Sequence, residues 1–212
     1  MSILEELAEA VELGKPDEAI AKTQEAIELK MSPLDIMNKG LIVGMDIIAE
    51  KWSRNEVFIP EILVAAMALT QSVELLKPLL LDGDVKPVGK AVIGTAKGDL
   101  HDIGKNLVKL MMTSAGFEMI DLGTDVSDED FVTAVKENGA DILMISALLT
   151  TTMTYQKLII ESLEKSGLRD QVKVMVGGAP VSQEFADDVG ADGFAVDAVA
   201  AVKVAKKLLL AS

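Results

Sequence analysis

The sequence has no cysteine, a single histidine and few aromatic residues, and each shortage excludes a class of function. Without cysteine, this chain of 212 residues has no disulfide, no thiolate metal site and no cysteine nucleophile. Aromatic residues make up only 3% of the chain, so its core must consist of Leu, Ile, Val, Met and Ala. Half of the residues are apolar, which is enough for a buried core in one large domain or two small ones.

Positive charge is also scarce. The chain has 20 Lys and Arg residues against 34 Asp and Glu residues, which gives a formal net charge of −14. Nucleic acid and anionic membrane surfaces repel such a protein, so neither is expected as a partner. The N-terminus is acidic where a signal peptide is basic, and no run of about 18 uncharged apolar residues occurs. We therefore expect a cytoplasmic protein.

The first 80 residues have helical periodicity only. Helices are predicted over 3–13, 17–29, 32–52 and 60–76, and their short connections favour an antiparallel four-helix bundle. Glycines and a proline then interrupt the pattern. We predict a helical domain over 1–80, a linker over 81–89 and a second domain over 90–212.

In the second domain, predicted strands and helices alternate. The strands are near-continuous apolar runs, as in parallel strands that are buried on both faces. The predicted strands are 91–96, 118–122, 141–147, 173–177 and 193–196, and the predicted helices are 103–115, 128–138, 153–166, 182–188 and 197–210. Five such units predict an α/β, doubly wound, Rossmann-like parallel sheet of flavodoxin-like order 2-1-3-4-5. Ligands bind such sheets at the carboxyl ends of the first and third strands.

Polar residues and glycines follow the first, third and fourth predicted strands, so they should meet at one crevice. They are Gly98, Asp99, Leu100, His101, Asp102 and Gly104, then Ser146, Leu148 and Thr150, then Gly177 and Gly178. Asp99 could accept the proton of one ring nitrogen of His101 and leave the other nitrogen free to bind a metal. Asp102 would cap the helix that starts here, and Lys105 and Asn106 are interpreted as surface groups of its first turn.

Other chemistries fit these residues less well. The spacing from Gly98 to Gly104 is one residue too long for a phosphate-binding loop, and Asn106 stands where a hydroxyl should bind magnesium. A zinc enzyme normally needs three or four protein ligands, and Ser146 lacks the glycine-flanked turn of a nucleophilic serine. A phosphoacceptor domain shares the topology but needs acidic residues clustered after the first strand, and it remains an alternative.

The run Asp99-x-His101-x-x-Gly104, followed by Ser146-x-Leu148 and by Gly177-Gly178, resembles the cobalamin-binding signature. A helical cap followed by a flavodoxin-like module is similar to the methylcobalamin-binding region of methionine synthase. The whole chain resembles the free-standing corrinoid proteins of methyltransferase systems.

This resemblance implies a cobalamin or related corrinoid as cofactor, with His101 as the lower axial ligand to cobalt. Asp99 would hydrogen-bond the other nitrogen of His101, and Ser146 would extend that relay. The loop 98–102 would contact the corrin, and a slot beside the first strand would hold the nucleotide tail. That slot would be lined by Ser146, Leu148, Thr150, Gly177 and Gly178. In the cap, Phe58 and Ile62 would cover the upper face of the cobalt, although both would serve equally well as bundle core.

The resemblance further implies a methyl carrier that is not an enzyme by itself. Its cobalt would cycle between Co(I) and methyl-Co(III) and would accept a methyl group from a substrate through a partner methyltransferase of the O-demethylase or methylamine type. A second methyltransferase acting on tetrahydrofolate or coenzyme M would take the methyl group, and a reductive activator would be a further partner. A subunit of an adenosylcobalamin-dependent mutase and a cobalamin-dependent sensor are the alternatives.

Overall fold

The computed structural model describes residues 1–79 and 87–210, which belong to two compact units, 1–86 and 87–212. The predicted linker over 81–89 lies for the most part outside the described residues. Val88 donates its N–H to Gly116 O (3.0 Å), and Gly89 O accepts from the Glu118 N–H (3.0 Å), so the end of the predicted linker belongs to the second unit. We retain 1–80 and 90–212 as the proposed domain limits.

The first unit is helical, as predicted. It contains α1 (Ile3–Glu12), α2 (Pro16–Glu28), α3 (Pro33–Ile36), a π-helical turn (Met37–Leu41), α4 (Ile42–Ser53), α5 (Ile59–Leu76) and a 3₁₀ turn (Lys77–Leu79). The sequence sets the helix starts: Ser2 and Glu5 form a capping box on α1, and prolines occupy the first turns of α2 and α3. The π-helical turn joins α3 to α4, so the helix predicted over 32–52 is one continuous run. Helices α1, α2, α4 and α5 pack on one another as the expected helical cap.

Helix α5 is unusually apolar. Together with the turn after it, Ile59–Leu79 (21 residues, mean hydropathy 1.5) is long and apolar enough to cross a membrane by length and composition alone. A core helix of a bundle meets the same measure, and α5 packs against α1, α2 and α4 with Ile62 and Leu69 buried. It also carries partly exposed apolar residues such as Leu63 and Met67, four residues apart and so on one face. Bundle core and an exposed apolar strip together account for its hydropathy.

The second unit contains a five-stranded parallel sheet of order β2-β1-β3-β4-β5, which confirms the predicted fold class. Its elements are β1 (Lys90–Thr95), α6 (Ile103–Ser114), β2 (Glu118–Asp121), α7 (Asp128–Asn138), β3 (Ile142–Ser146), α8 (Thr150–Lys165), a 3₁₀ turn (Arg169–Gln171), β4 (Lys173–Gly177), α9 (Gln183–Asp188), β5 (Gly193–Phe194) and α10 (Ala198–Leu210). One buried cluster lies between the sheet and α7, α8 and α9, and another lies between the sheet and α6 and α10. The sheet is therefore covered on both faces, as its apolar strands predict.

Helix α8 starts three residues earlier than predicted, at Thr150 rather than at residue 153. Leu149 is extended and donates its N–H to the Thr152 hydroxyl (3.3 Å), while the Thr152 N–H donates to Leu149 O (3.1 Å). These bonds satisfy backbone groups at the helix start. As a result, the threonines that the sequence suggested for a loop form the first turn of α8, next to the turn after β1.

Candidate functional site

A tight turn after β1 carries the candidate site. Asp99 donates its N–H to Ala96 O (3.0 Å), and Gly98 has a φ of +82°, which a residue with a side chain rarely adopts. Four residues after Asp99, α6 begins at Ile103, and Asp102 directly precedes it. Asp102 was expected to cap this helix, but its side chain accepts no hydrogen bond from a backbone N–H of the first turn. Its Oδ2 instead accepts a hydrogen bond from Asn106 Nδ2 (2.9 Å).

Asp99 is fully buried and its carboxylate accepts four hydrogen bonds. The backbone N–H (3.0 Å) and Nδ1 (2.8 Å) of His101 contact Oδ1. The Leu148 N–H and the Thr152 hydroxyl contact Oδ2, both at 2.7 Å. Burial alone would raise the pKa of Asp99, but these bonds, with that from Thr152 foremost, hold the pKa well below its usual range. Asp99 is therefore an ionised acceptor inside the protein.

The ring of His101 is half-exposed, with 52% of its side chain accessible, although its Nδ1 faces the buried carboxylate. An ionised carboxylate can only accept, so Nδ1 must carry a proton. In the neutral ring, Nε2 then has the free electron pair. The site thus provides one imidazole nitrogen, held in one tautomer, for a ligand outside the protein chain.

The structure corrects the predicted relay. Ser146 was expected to extend the Asp99–His101 pair, but the hydroxyl that contacts Asp99 belongs to Thr152, in the first turn of α8. Ser146 ends β3 and pairs in register with Thr95 and Gly177. Thr152 was not predicted because it is the last of three consecutive threonines that precede the helix predicted from residue 153. The extended backbone of Leu149, which places Thr152 inside the helix, is a property of the folded chain.

The other predicted contact residues lie at the same edge of the sheet. Leu148 is partly exposed and its N–H binds Asp99, Thr150 is the first residue of α8, and Gly177 ends β4. A Cβ on Gly177 would have no closer neighbour than Ala195 O at 3.8 Å, so this glycine leaves open space. The structure brings these residues together beside β1, and their contact with a cofactor stays a prediction.

Packing within the chain is one reason for glycine at Gly178. The resemblance places this residue in the lining of the nucleotide slot, which stays a prediction. With φ at +129°, however, a Cβ there would lie 1.7 Å from Ala147 O. The close approach of the loops after β3 and β4 already requires this glycine.

Two apolar residues close to His101 in the sequence are exposed at the surface. Leu100 is 71% exposed and Ile103 is 86% exposed, which is high for residues of this size. A Cβ on Gly104 would meet nothing within 4 Å, so packing within the chain does not require a glycine there. Exposed Leu100 and Ile103, together with the free space at Gly104, form a surface that a broad ligand with apolar edges could cover next to the His101 imidazole.

Lys105 is buried rather than on the surface, which corrects the interpretation from the sequence. It is 2% exposed, and its ammonium donates to Asp121 Oδ1 (2.6 Å) at the end of β2 and to Asn106 Oδ1 (2.8 Å). Lys109 Nζ contacts Asp121 Oδ2 (3.0 Å). Burial alone would raise the pKa of Asp121, but these partners, with Lys105 foremost, lower it to about 2. The cluster fastens the first turns of α6, which follow the His101 loop, to β2.

The two residues predicted to cover the cobalt differ in exposure within the helical unit. Ile62 is buried in the bundle, which favours its alternative role as core, whereas Phe58 precedes α5 and is mostly exposed. The Phe58 N–H donates to the Glu61 carboxylate (2.6 Å), which caps the helix and fixes the backbone of Phe58. A covering role for either residue stays a prediction.

Comparison with known proteins links both units to one family. Two models, each described as a B12 binding domain, match residues 3–77 and 89–203. A corrinoid protein of Desulfitobacterium hafniense is 43% identical over 214 residues, covering 99% of this chain and 98% of the relative. Dimethylamine corrinoid protein 2 of Methanosarcina acetivorans is 44% identical over 209 residues, covering 98% of this chain and 96% of the relative. A chain in the crystal structure of the methanol:cobalamin methyltransferase complex MtaBC from Methanosarcina barkeri is 30% identical with a TM-score of 0.87, covering 99% of this chain and 80% of that chain.

Proposed function

The chain belongs to the corrinoid protein family, whose members carry B12 binding domains, and we propose that it is the methyl-carrying subunit of a methyltransferase system. Its cofactor is cobalamin or a related corrinoid. The observation that carries the proposal is the hydrogen-bonded chain Thr152–Asp99–His101, which leaves Nε2 of the one histidine facing outward.

The donor set fits a corrinoid better than a bare metal ion. Within residues 1–79 and 87–210, no group of three or more His, Cys, Asp or Glu side chains could hold a metal ion. A corrin ring supplies the equatorial ligands of its cobalt, so a single protein nitrogen is sufficient. His101 provides that nitrogen, and exposed Leu100 and Ile103 provide apolar surface for the edge of the ring. The open position at Gly104 gives the ring room.

In this proposal, His101 would hold the cofactor, and Asp99 and Thr152 would keep the His101 ring in one orientation. When bound, the corrinoid would supply a cobalt centre that takes up a methyl group and gives it back. Asp99 would hold the Nδ1 proton of His101, so that Nε2 is the nitrogen available for ligation. The Thr152 hydroxyl would keep the carboxylate ionised.

Ser146, Leu148, Thr150, Gly177 and Gly178 remain the proposed lining for the nucleotide tail. Their support is their common position at the carboxyl edge of β3 and β4, with open space at Gly177. Gly98 and Asp102 complete the contacting loop in the proposal, and Phe58 of the helical unit remains the candidate for covering the cobalt.

We further propose methylamines as the source of the methyl group. Identity is 44% to dimethylamine corrinoid protein 2 of Methanosarcina acetivorans and 30% to the chain of the methanol:cobalamin methyltransferase complex. The partners would be a methylamine-specific methyltransferase, a second methyltransferase that uses tetrahydrofolate or coenzyme M, and a reductive activator. The chain would act in the cytoplasm as a carrier and not as a complete enzyme. Similarity over the full length of corrinoid proteins favours this role over a mutase subunit or a sensor.

Reconstitution tests the cofactor and its ligand. The purified protein is incubated with hydroxocobalamin, separated from free cofactor by gel filtration, and examined by visible spectroscopy beside His101→Ala. Thr113→Ala, a surface change late in α6, is the control. We expect one corrinoid per chain and an axial-nitrogen spectrum in the wild type and the control, and loss of that spectrum in His101→Ala. Folded wild-type protein that retains no corrinoid would contradict the proposal.

Methyl transfer tests the carrier role. The reduced, reconstituted protein is mixed with dimethylamine, monomethylamine or methanol and with the methyltransferase for each. We expect the spectrum of the methylated corrinoid to form fastest with a methylamine and its methyltransferase. Equal or faster methylation from methanol would disprove the substrate assignment while leaving the carrier role intact.

A further inference from the structure

The loop after β2 contacts the turn that carries Asp99. Asp125 in that loop makes hydrogen bonds to two residues of the turn and to the last residue of β1. Its Oδ1 accepts a hydrogen bond from the Gly98 N–H (2.7 Å). Its own N–H contacts Asp99 O (3.0 Å) and Thr95 Oγ1 (2.9 Å). The Thr95 hydroxyl, which is fully buried, donates to the same Asp99 O (2.6 Å). The backbone oxygen of Asp99 therefore accepts two hydrogen bonds, one from the Thr95 hydroxyl at the end of β1 and one from the Asp125 N–H.

Asp125 adopts an unusual backbone conformation in order to make these contacts. Its φ is +57°, in the left-handed region that residues other than glycine rarely enter and that Asp and Asn tolerate best. On the next residue, the Val126 N–H donates to Thr95 O (3.1 Å), which keeps the loop against β1. The hydrogen bonds around Asp125 hold it in this conformation, and residues held in such conformations are often found at functional sites.

We propose that Asp125 is a positioning residue for His101, which it does not itself contact. Asp99 is fixed at two ends: Asp125 and Thr95 hold its peptide, and Thr152 holds its carboxylate. The neighbouring Gly98 has the wide conformational freedom of a glycine, and the hydrogen bond from its N–H to Asp125 restricts that freedom. Loss of the Asp125 side chain would let the turn move, and Asp99 Oδ1 would lose its fixed distance to the His101 ring.

One part of this inference rests on the proposed function and one part does not. That Asp125 keeps the His101 ring in one tautomer concerns the protein alone. That this tautomer favours ligation of cobalt rests on the corrinoid carrier role. The two parts have separate measurements, so either can fail without the other.

Three variants separate the contributions of Asp125. Asp125→Asn keeps the Oδ1 acceptor and the tolerance for positive φ but removes the charge. Asp125→Gly keeps the backbone conformation and removes the acceptor, and Asp125→Ala removes the acceptor and disfavours the conformation. Asp141→Ala is the matched control, because Asp141 Oδ2 also accepts a backbone N–H, from Lys90 (2.7 Å), at the opposite ends of β1 and β3.

The single histidine makes the measurement unambiguous, since nitrogen-15 NMR of the apoprotein shows one imidazole ring. We expect the Nδ1-protonated tautomer in the wild type and in Asp125→Asn, and a mixture of tautomers in Asp125→Gly and Asp125→Ala. Hydrogen exchange of the Gly98 amide should be about tenfold faster in Asp125→Gly, because a hydrogen bond to a charged acceptor is lost. In corrinoid-loaded protein, the same two variants should show a smaller fraction with axial nitrogen.

Wild-type tautomer and Gly98 exchange in Asp125→Gly would overturn the positioning role. A tautomer change of the same size in Asp141→Ala would also overturn it, because the effect would then be general destabilisation. If wild-type protein retains no corrinoid, the proposed function fails, while the apoprotein measurements still decide the role of Asp125.

Discussion

The Thr152 hydroxyl is the most informative single group to remove. Thr152→Val keeps the shape of the side chain and deletes one of the donors to the buried Asp99 carboxylate. A hydrogen bond to a charged group contributes about 1.5–3 kcal/mol, and a charge that is left less well satisfied inside the protein costs the larger part of that range. We therefore expect the free energy of unfolding of the α/β unit to fall by about 2–3 kcal/mol at pH 7.

The pH dependence of this difference is a second, independent test. Hydrogen bonding lowers the pKa of Asp99 in the folded state, so the stability that it contributes is present above the unfolded pKa of about 4 and is lost as the pH falls below it. The difference between wild type and Thr152→Val should be constant from about pH 6 to pH 8 and should shrink below about pH 4.

Denaturant-dependent hydrogen exchange of β1 and β3 amides is the assay, because both strands belong to the α/β unit. Thr154→Val is the matched control: its hydroxyl is exposed on the same helix and donates only to Thr151 O (3.0 Å). We expect this control to change stability by no more than about 0.5 kcal/mol. If Thr152→Val is as stable as wild type at pH 7, or if the control loses as much stability, the relay through Thr152 is wrong.

Three further substitutions test the surroundings of the site. Lys105→Met leaves Asp121 with fewer hydrogen-bond donors and should lower the free energy of unfolding in urea by about 1.5–3 kcal/mol above pH 4. This loss should fade as the pH falls toward the Asp121 pKa of about 2, and an unchanged urea midpoint would contradict the buried pair. Gly178→Ala puts a Cβ 1.7 Å from Ala147 O at a φ of +129°, so it should lower stability by about 3 kcal/mol or more, or prevent folding, as circular dichroism would show. Gly104→Ala meets no neighbour and should leave the apoprotein as stable as before or up to about 1 kcal/mol more stable. The same change should weaken corrinoid retention in gel filtration, and unaltered retention would show that the cofactor does not lie over this glycine.

The position of Asp121 links the site to the rest of the sheet. Lys105 and Lys109, from successive turns of α6, share this one carboxylate at the end of β2. The turn before α6 is held by Asp125, in the loop that continues from β2. One side of the His101 loop is thus fastened to β2 and the other to the loop that follows β2, which explains how an exposed imidazole can keep a defined orientation.

Features that depend on local sequence pattern could be predicted without the fold. Apolar runs of strand length, separated by amphipathic segments, predicted the parallel sheet because parallel strands are buried on both faces. The number of strand–helix units, five, predicted the order of the strands. The single histidine, two residues after an aspartate in the loop that follows the first strand, indicated the candidate site, since the contact between His101 and Asp99 spans only two residues. The helix starts at Ser2, Pro16 and Pro33 likewise follow from capping and backbone chemistry within a few residues.

The distant groups that complete the site could be found only from the folded chain. Thr152 lies 53 residues after Asp99 and Asp125 lies 27 residues after Gly98, so no local pattern relates them. The burial of Lys105 depends on Asp121, 16 residues later, on a neighbouring strand. Such contacts form where crossover connections bring strand ends together. Because α8 begins one turn earlier than predicted, the hydroxyl that contacts Asp99 is that of Thr152 and not that of Ser146. Periodicity fixes which face of an element is buried, but the choice among neighbouring hydroxyls or carboxylates depends on distances that exist only in the folded chain.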